Sequence, residues 1–323
     1  METKTMENEI IQSAAVESIS PAQGQNKSQK QKNSKGVIAS RVIVWVVLAI
    51  YTLWIFIPFL IILETSLVPK AEFRDATHYI WWPENPTFAG YIKLFTKDPY
   101  MVGGVPSLLR GFFNTMWITL IPLFSGLLQS ALVAYVYARY NFPAKNTLFM
   151  ITVTLMFIPL GAVGFTSYMF YQNIGWTNGN AAVLPMIVPG LFASAGTVFF
   201  LRPYIEGINK EIIEAAEIDG MGFWQVFFKI ILPLSKPALI AQFIFGFVGG
   251  YNNYAGALIY LKRERELWTL QIAMQKIISH QSSGSDFGFT CATSLMAMLP
   301  LVILYIACQK FFIEGISFGG GKE

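Results

Sequence analysis

The sequence EAAEIDGMGFWQVFFKIILP occupies residues 214–233 and interrupts a chain that is otherwise strongly apolar. It opens with three acidic residues within six positions, passes through a glycine into an aromatic run, and ends at Leu232-Pro233. Acidic side chains cost about 3 kcal/mol each at the centre of a bilayer. The segment is therefore predicted to lie in water, and the surrounding sequence decides what it projects from.

The composition favours a membrane protein. Of the 323 residues, 54% are hydrophobic and 13% are charged, whereas a soluble domain has about 25% charged residues. The net charge of +4 and the absence of a basic stripe interleaved with aromatic residues argue against nucleic acid as a partner. No cluster of His, Cys, Asp or Glu has the spacing of a metal site.

Six runs contain no charged residue, and each is 21 to 28 residues long, against the roughly 20 residues that a helix needs to cross a bilayer. Their prolines are compatible with membrane helices, in which neighbours satisfy the freed backbone groups. The sequence predicts an all-α polytopic membrane protein with six transmembrane helices. The runs are 42–63, 111–138, 148–170, 181–201, 238–261 and 287–309.

The distribution of basic residues predicts the orientation. Residues 1–40 form a polar tail that we expect to be disordered, and five Lys and Arg residues without an acidic residue lie within 27–41. By the positive-inside rule the N-terminus is cytoplasmic, and six spans return the C-terminus to the same side. Residues 202–237 are then the largest cytoplasmic loop.

Within this loop the spacing predicts two short helices joined at Gly220. The first has acidic residues on one side and apolar residues on the other, and the second ends at Leu232-Pro233. This pattern fits a surface for a soluble partner with cationic groups at its rim, and equally an amphipathic hairpin folded against the membrane. The acids are Glu211, Glu214 and Glu217, and the apolar residues are Ile212, Ile213 and Ala216.

The same stretch resembles the EAA motif of membrane subunits of ATP-binding-cassette (ABC) importers. Glu214-Ala215-Ala216 is followed after three residues by Gly220, and Ile230 stands before Leu232-Pro233 at the offsets of that motif. Other segments resemble the carbohydrate branch of the family, closest to its MalG-type subunit. They are ENPTFAGYIKLF (84–95), Asn114-Thr115, ALVAYVYARYNFPAKN (131–146), YNNYAGALIYL (251–261) and GISFGGGKE (315–323).

The resemblance implies a type I ABC importer (MetI-like) permease fold over residues 41–315, with a Gly-rich cytoplasmic tail at 316–323. The sequence departs from the pattern at Asn209, where many members have Pro, and at Tyr251 and Ala257, where Trp and Pro are usual. The tail would reach between the ATPase subunits, or simply form a disordered end.

The resemblance also implies that the 202–237 loop forms the coupling helices that dock into a cleft on the ATPase. Glu214 would pair with an ATPase arginine, Gly220 would permit the turn, and the aromatic residues would provide apolar grip. Trp224 could equally anchor at the membrane surface. The implied coupling residues are Glu214, Ala215, Ala216, Asp219, Gly220, Phe223, Trp224 and Phe227.

The implied partners are a paralogous MalF-type permease, an ABC ATPase dimer, an extracellular solute-binding protein that meets loop 262–286, a sugar, and the lipid of a bacterial cell membrane. A phosphate-binding loop would require G-x-x-x-x-G-K-[ST], and only Gly321-Lys322 resembles part of it. We therefore expect no enzyme activity and no cofactor on this chain, with ATP and Mg held by the partner subunits.

The fifth run supplies the candidate substrate pathway. Two amides near the middle of a membrane need hydrogen-bond partners, which sugar hydroxyls and neighbouring helix backbones can provide equally well. The candidate pathway residues are Tyr251, Asn252 and Asn253, with Gln129 and Asn114 from the second run.

Two alternatives compete with a carbohydrate importer. The EAA motif is shared by importers of other solutes, so a non-sugar cargo fits the same coupling loop. A secondary transporter driven by an ion gradient would need ionisable residues within its spans, and the six runs contain none.

Overall fold

The structure is a computed structural model that describes residues 35–75, 80–157, 164–281 and 286–317. Most of the two predicted tails, 1–40 and 316–323, lies outside these residues. Where the ranges overlap, the first helix already begins at Lys35 and the last helix continues to Ser317. Contacts divide the chain at Pro58 into two compact units, and the second unit begins at Phe59.

The regular structure of the described residues is helical, apart from one isolated bridge between Val102 and Val105. Short 3-10 turns lie at Gly179–Val183, Pro189–Leu191 and Arg265–Leu267. The α-helices are α1 (Lys35–Thr65), α2 (Lys70–Asp75), α3 (Ala89–Thr96), α4 (Ser107–Arg139), α5 (Lys145–Leu155), α6 (Gly164–Asn173), α7 (Leu184–Ile187), α8 (Ala195–Glu206), α9 (Lys210–Ile218), α10 (Phe223–Leu234), α11 (Lys236–Tyr251), α12 (Tyr254–Leu261), α13 (Leu270–Gln281) and α14 (Phe287–Ser317).

The prediction of a polytopic helical membrane protein is confirmed. Four helical segments of the described chain are long and apolar enough to span a membrane, or five if α10 and α11, which meet at 74°, form one broken span. The predicted span 148–170 falls on α5 and α6, and residues 158–163 between them lie outside the described chain. The four segments are Ser40–Thr65, Ser107–Arg139, Gly179–Glu206 and Phe287–Gln309.

The predicted span 181–201 is interrupted and extends further than expected. After the 3-10 turn at Pro189–Leu191 the backbone is extended at Phe192, and α8 then continues to Glu206. The interruption frees the Leu191 carbonyl, which accepts hydrogen bonds from Gln129 Nε2 at 2.7 Å and Ser125 Oγ at 2.8 Å. Side chains of α4 thus satisfy the broken backbone, as a membrane environment requires.

The predicted span 238–261 is divided at Asn252-Asn253, where α11 ends and α12 begins. Asn253 Oδ1 accepts from the backbone N–H of Gly256 at 3.0 Å and so caps α12. The helix before it, α10, does not stop at Leu232-Pro233 as predicted but ends at Leu234. A π-helical turn over Phe227–Ile231 precedes Pro233, which therefore stands in the first turn of a new α-helical segment, where its missing N–H costs little.

The short helix predicted after Thr87 is present as α3, and Thr87 Oγ1 accepts from the N–H of Ala89 at 3.2 Å. Its fully buried side chain is Leu94, whereas Phe88 and Ile92 are exposed. Tyr91 bonds Ser66 through the two hydroxyls at 2.7 Å. The aromatic face expected to be apolar therefore points mainly outward.

Buried side chains form three clusters along α4. One surrounds the Arg139 end of α4 together with α8, α9 and α10. The other two lie toward the Ser107 end, against α11, α12, α13 and α14. Helix α4 is thus the element on which the acidic segment at one end and residues 266–281 at the other both pack.

Candidate functional site

The acidic hairpin, residues 209–234, begins with a side-chain cap. Asn209 Oδ1 accepts a hydrogen bond from the N–H of Glu211 at 3.0 Å, which satisfies one of the free amides of α9. Asn209 is also the position at which the sequence departs from the more usual Pro. The departure therefore keeps a residue that starts the helix at the same place.

Helix α9 ends in a Schellman motif. Gly220 has a left-handed backbone with φ of 84°. The N–H of Met221 donates to the Ala216 carbonyl at 2.9 Å, and the N–H of Gly220 donates to the Glu217 carbonyl at 3.0 Å. The predicted turn at Gly220 is confirmed, and it reverses the chain so that α10 returns alongside α9.

The rear of the hairpin is fixed to α4 by aromatic contacts. The ring of Phe223 lies 5.3 Å from that of Tyr135, and the ring of Phe227 lies 5.8 Å from it. Ile213 and Ala216 of α9 are buried in the same cluster. Phe227 is only 1% exposed, so the structure places it inside this cluster and away from the surface of the hairpin.

The opposite surface of the hairpin is open to a partner. Glu214, Ala215 and Asp219 are exposed there, together with Ile218 at 87% and Trp224 at 57% exposure. Acidic and large apolar side chains therefore share one outward surface. Ile212, predicted to lie on the apolar side with Ile213, is also exposed.

Arg139 ties the end of α4 to the chain that leads into the hairpin. One nitrogen of its guanidinium, Nη2, donates to the Ile205 carbonyl at 2.7 Å and also to the Ile208 carbonyl. These two carbonyls lie at the end of α8 and just before the Asn209 cap. The guanidinium thereby fixes where α9 starts.

A polar cavity of 340 Å³ lies between the end of α4 and α9. Its charged lining residues are Arg139, Lys145, Lys210, Glu214 and Glu217. Neither lysine forms an ion pair with another described residue. Cationic and anionic groups therefore stand at the side of the hairpin, next to its open surface.

A second cavity, of 530 Å³, lies further along α4, between it, residues 186–197 and α11. Asn253 is the one predicted pathway residue that lines it. Neighbouring Asn252 is turned elsewhere, and its Oδ1 accepts from Gln271 Nε2 at 3.3 Å.

The other predicted pathway residues hold the walls of the helical bundle. Tyr251 is buried and its hydroxyl donates to the Ala297 carbonyl at 2.7 Å. Gln129 supports the interrupted segment through Leu191. Asn114 Nδ2 donates to the Glu266 carbonyl at 2.8 Å and to the Trp268 carbonyl at 3.0 Å.

The segment that Asn114 holds is docked firmly at the start of α4. Thr115 Oγ1 accepts from the N–H of Leu270 at 2.9 Å, and Trp268 is buried against α4 and α12. Four charged residues precede this docked part of the chain. Of these, Lys262, Arg263, Arg265 and Glu266 are exposed. Across the described residues, no group of three or more His, Cys, Asp or Glu side chains could hold a metal ion.

Residues 126–316 match the family model for the binding-protein-dependent transport system inner membrane component. This chain belongs to that family. The match runs from the middle of α4 through the acidic hairpin to α14. Members of the family are multi-pass permease subunits of ABC importers rather than ATPases, so the chain is not itself an enzyme.

Curated relatives support the assignment over most of the chain. The arabinooligosaccharides transport system permease protein AraQ of Halalkalibacterium halodurans is 31% identical over 267 residues, which are 82% of this chain and 90% of the relative. The melibiose/raffinose/stachyose import permease protein MelC of Bacillus subtilis is 31% identical over 269 residues, 83% of this chain and 91% of the relative.

A solved structure shows the same fold. A chain of a bacterial ABC transporter involved in the import of the acidic polysaccharide alginate superposes with a TM-score of 0.72 at 21% sequence identity. The alignment covers 86% of this permease and 98% of that chain. The predicted permease fold is confirmed by this likeness.

Several residues of the two sites were not singled out from the sequence of the permease. Ile218 stands four residues after Glu214, a spacing that places both on one helix face, and could have been found from it. Arg139 and the polar residues of the 530 Å³ cavity come from separate elements, and no local pattern connects them.

Proposed function

We propose that this permease carries an oligosaccharide across the bacterial cell membrane as one half of an ATP-driven importer. The names of its relatives support this cargo, since they include permeases for arabinooligosaccharides, for melibiose, raffinose and stachyose, for diacetylchitobiose and for galactooligosaccharides. A second, paralogous permease subunit would complete the pathway.

The observation that carries the coupling role is the two-sided construction of the acidic hairpin. Its rear is fixed to α4 through Tyr135, while Glu214, Ile218 and Trp224 remain exposed. A docked ATPase would cover the apolar residues and offer a cationic group to Glu214. Motion of the ATPase would then reach α4 through the fixed rear of the hairpin.

This docking sets the orientation of the whole chain. The hairpin must face the cytoplasm, where ATP is available, and with six spans both termini lie on that side. The charged residues at 262–266 then face outward, where a binding protein would meet them. ATP and Mg belong to the ATPase subunits in this proposal.

In the pathway, Asn253 is the predicted residue best placed to meet cargo, because it lines the 530 Å³ cavity. Tyr251, Asn252, Gln129 and Asn114 would contribute by holding the walls through the hydrogen bonds described above. This division assigns contact with the sugar to few residues of this chain.

Reconstitution of the complete complex in liposomes tests the proposal. Raffinose, arabinotriose and galactotriose would each be presented with the binding protein while ATP hydrolysis and uptake are measured. We expect at least one saccharide to stimulate both. The alternative of a non-sugar cargo has a relative to suggest it, the osmoprotective compounds uptake permease protein GgtD of Synechocystis at 25% identity. Stimulation by glycine betaine with none by any saccharide would establish that alternative.

A further inference from the structure

The 530 Å³ cavity brings together polar side chains from three separate elements. Thr119 comes from α4, Gln242 from α11, and Thr269 from the residue just before α13. The cavity has the size of a site for a drug-sized ligand, for which volumes of roughly 300–1,000 Å³ are usual. None of these three residues stood out in the sequence.

Thr269 is the most informative of them. It is 4% exposed, and its Oγ1 has no hydrogen-bond partner among the described residues. Nearly all buried polar side-chain atoms in proteins are hydrogen-bonded, so an unpaired one in the wall of a cavity points to a ligand. Its own backbone carbonyl is already used, since it accepts from the N–H of Ala273 at 2.9 Å.

The neighbouring polar groups complete a set suited to hydroxyl ligands. The side chains of Thr119 and Gln242 make no hydrogen bond to any other residue that the structure describes. Asn253 uses its Oδ1 to cap α12, which leaves its Nδ2 as a donor. Hydroxyl and amide groups can each donate and accept, as the hydroxyls of a sugar ring do.

The cavity wall contains no ionisable side chain, and apolar residues such as Ile118, Met186 and Phe192 form much of the remainder. A carboxylate or ammonium group entering it would lose its hydration without gaining a counter-ion. We propose that this cavity is a binding subsite for one uncharged saccharide unit, held by Thr119, Gln242, Asn253 and Thr269. The proposal rests on the proposed import of oligosaccharides and narrows the cargo to neutral ones.

Protection of a cysteine from chemical labelling tests occupancy directly. The complete complex would carry Asn253→Cys in a background with Cys291→Ser and Cys308→Ser, and labelling would be timed without binding protein. A neutral sugar present at twice its dissociation constant slows labelling about threefold by mass action. We expect at least one of raffinose, arabinotriose and galactotriose to do so at millimolar concentration, and trigalacturonate not to.

Asn252→Cys in the same background is the matched control, because Asn252 is adjacent and exposed but does not line the cavity. Its labelling should be unaffected by any sugar. Equal protection at both positions, protection by trigalacturonate, or no protection by any neutral sugar would each overturn the proposal.

A second measurement separates binding from folding. Thr269→Val and Thr119→Val keep the shape of the side chain and remove the hydroxyl. Loss of one hydrogen bond to cargo should lower the amount of sugar moved per ATP hydrolysed by about threefold to tenfold. Thr293→Val is the control, because Thr293 is equally buried but donates to the Phe289 carbonyl of its own helix at 2.8 Å. It should retain the wild-type ratio.

The outcomes separate this inference from the proposed function. If the wild-type complex takes up a saccharide and both cavity variants match its ratio of sugar to ATP, the cavity assignment fails and the importer stands. If the wild-type complex takes up no saccharide, the proposed function fails and the cavity assignment with it.

Discussion

The rings of Tyr135 and Phe227 stack with their centroids 5.8 Å apart and an interplanar angle of 25°. Tyr135 belongs to the last turns of α4, and Phe227 belongs to the second helix of the acidic hairpin. Both are almost completely buried. A partner that displaces the hairpin must therefore displace α4 as well.

The first prediction compares two aromatic residues of the hairpin. Phe227→Ala should destabilise the complex by about 3–5 kcal/mol, because it leaves a cavity in the cluster. Trp224→Ala should leave stability unchanged within about 0.5 kcal/mol, since Trp224 is 57% exposed, but weaken retention of the ATPase. Thermal unfolding of the purified complex and co-purification of the ATPase measure the two effects. The reverse pattern would show that Phe227 makes the contact with the partner.

The second prediction concerns the exposed acid of the motif. Glu214→Lys should place a like charge against the cationic site of the ATPase and abolish transport while membrane insertion continues. Glu84→Lys provides the control, since Glu84 is also exposed but lies in the loop before α3. ATP-dependent uptake and the amount of ATPase recovered with the membrane subunit should fall for the first variant only. Normal uptake by Glu214→Lys would contradict the docking surface.

The third prediction uses two nearby glycines. Gly220 has φ of 84° and Gly222 has φ of −78°. Neither would crowd a Cβ atom, so the backbone angle alone distinguishes them. Gly220→Ala should cost about 1–2 kcal/mol from the left-handed conformation and reduce uptake, whereas Gly222→Ala should be tolerated. Equal thermal stability and uptake for both variants would exclude a structural need for glycine at the turn.

The fourth prediction concerns Arg139. Arg139→Gln removes the donor to the carbonyls of Ile205 and Ile208, and each buried carbonyl left unpaired costs about 1–3 kcal/mol. Hydrogen exchange should accelerate in residues 205–211 and ATP hydrolysis should proceed with less sugar moved. Arg202→Gln is the comparison, because Arg202 pairs with Glu206 at 2.8 Å four residues along one helix, an arrangement worth about 0.3–0.5 kcal/mol when exposed. A larger effect for Arg202→Gln would refute the role given to Arg139.

The sequence predicted the class of fold because length without charge is a strong signal for membrane helices. The run 111–138 lies within α4, and the run 287–309 lies within α14. The breaks at Pro189–Leu191 and at Asn252-Asn253 were not predicted, because composition does not report whether neighbouring side chains can satisfy a freed carbonyl. Gln129 and Ser125 do this for Leu191, and they lie more than sixty residues away in the chain.

The acidic hairpin shows the same limit at closer range. Periodicity predicted the helices and the turn at Gly220, which depend on local backbone preferences. It did not predict that Phe227 faces α4, because spacing identifies a helix face but not what that face contacts. The 530 Å³ cavity is further out of reach, since Thr119, Gln242 and Thr269 meet only after three elements have packed.

Helix α4 runs without interruption for 33 residues, a length of about 50 Å. Arg139 and Tyr135 grip the hairpin at one end, and Asn114 and Thr115 grip the segment around Trp268 and Leu270 at the other. One helix thus works as a lever whose two ends emerge on opposite faces of the bilayer. Arrival of a loaded carrier outside and consumption of nucleotide inside act on the same rigid body, so neither event is mechanically private.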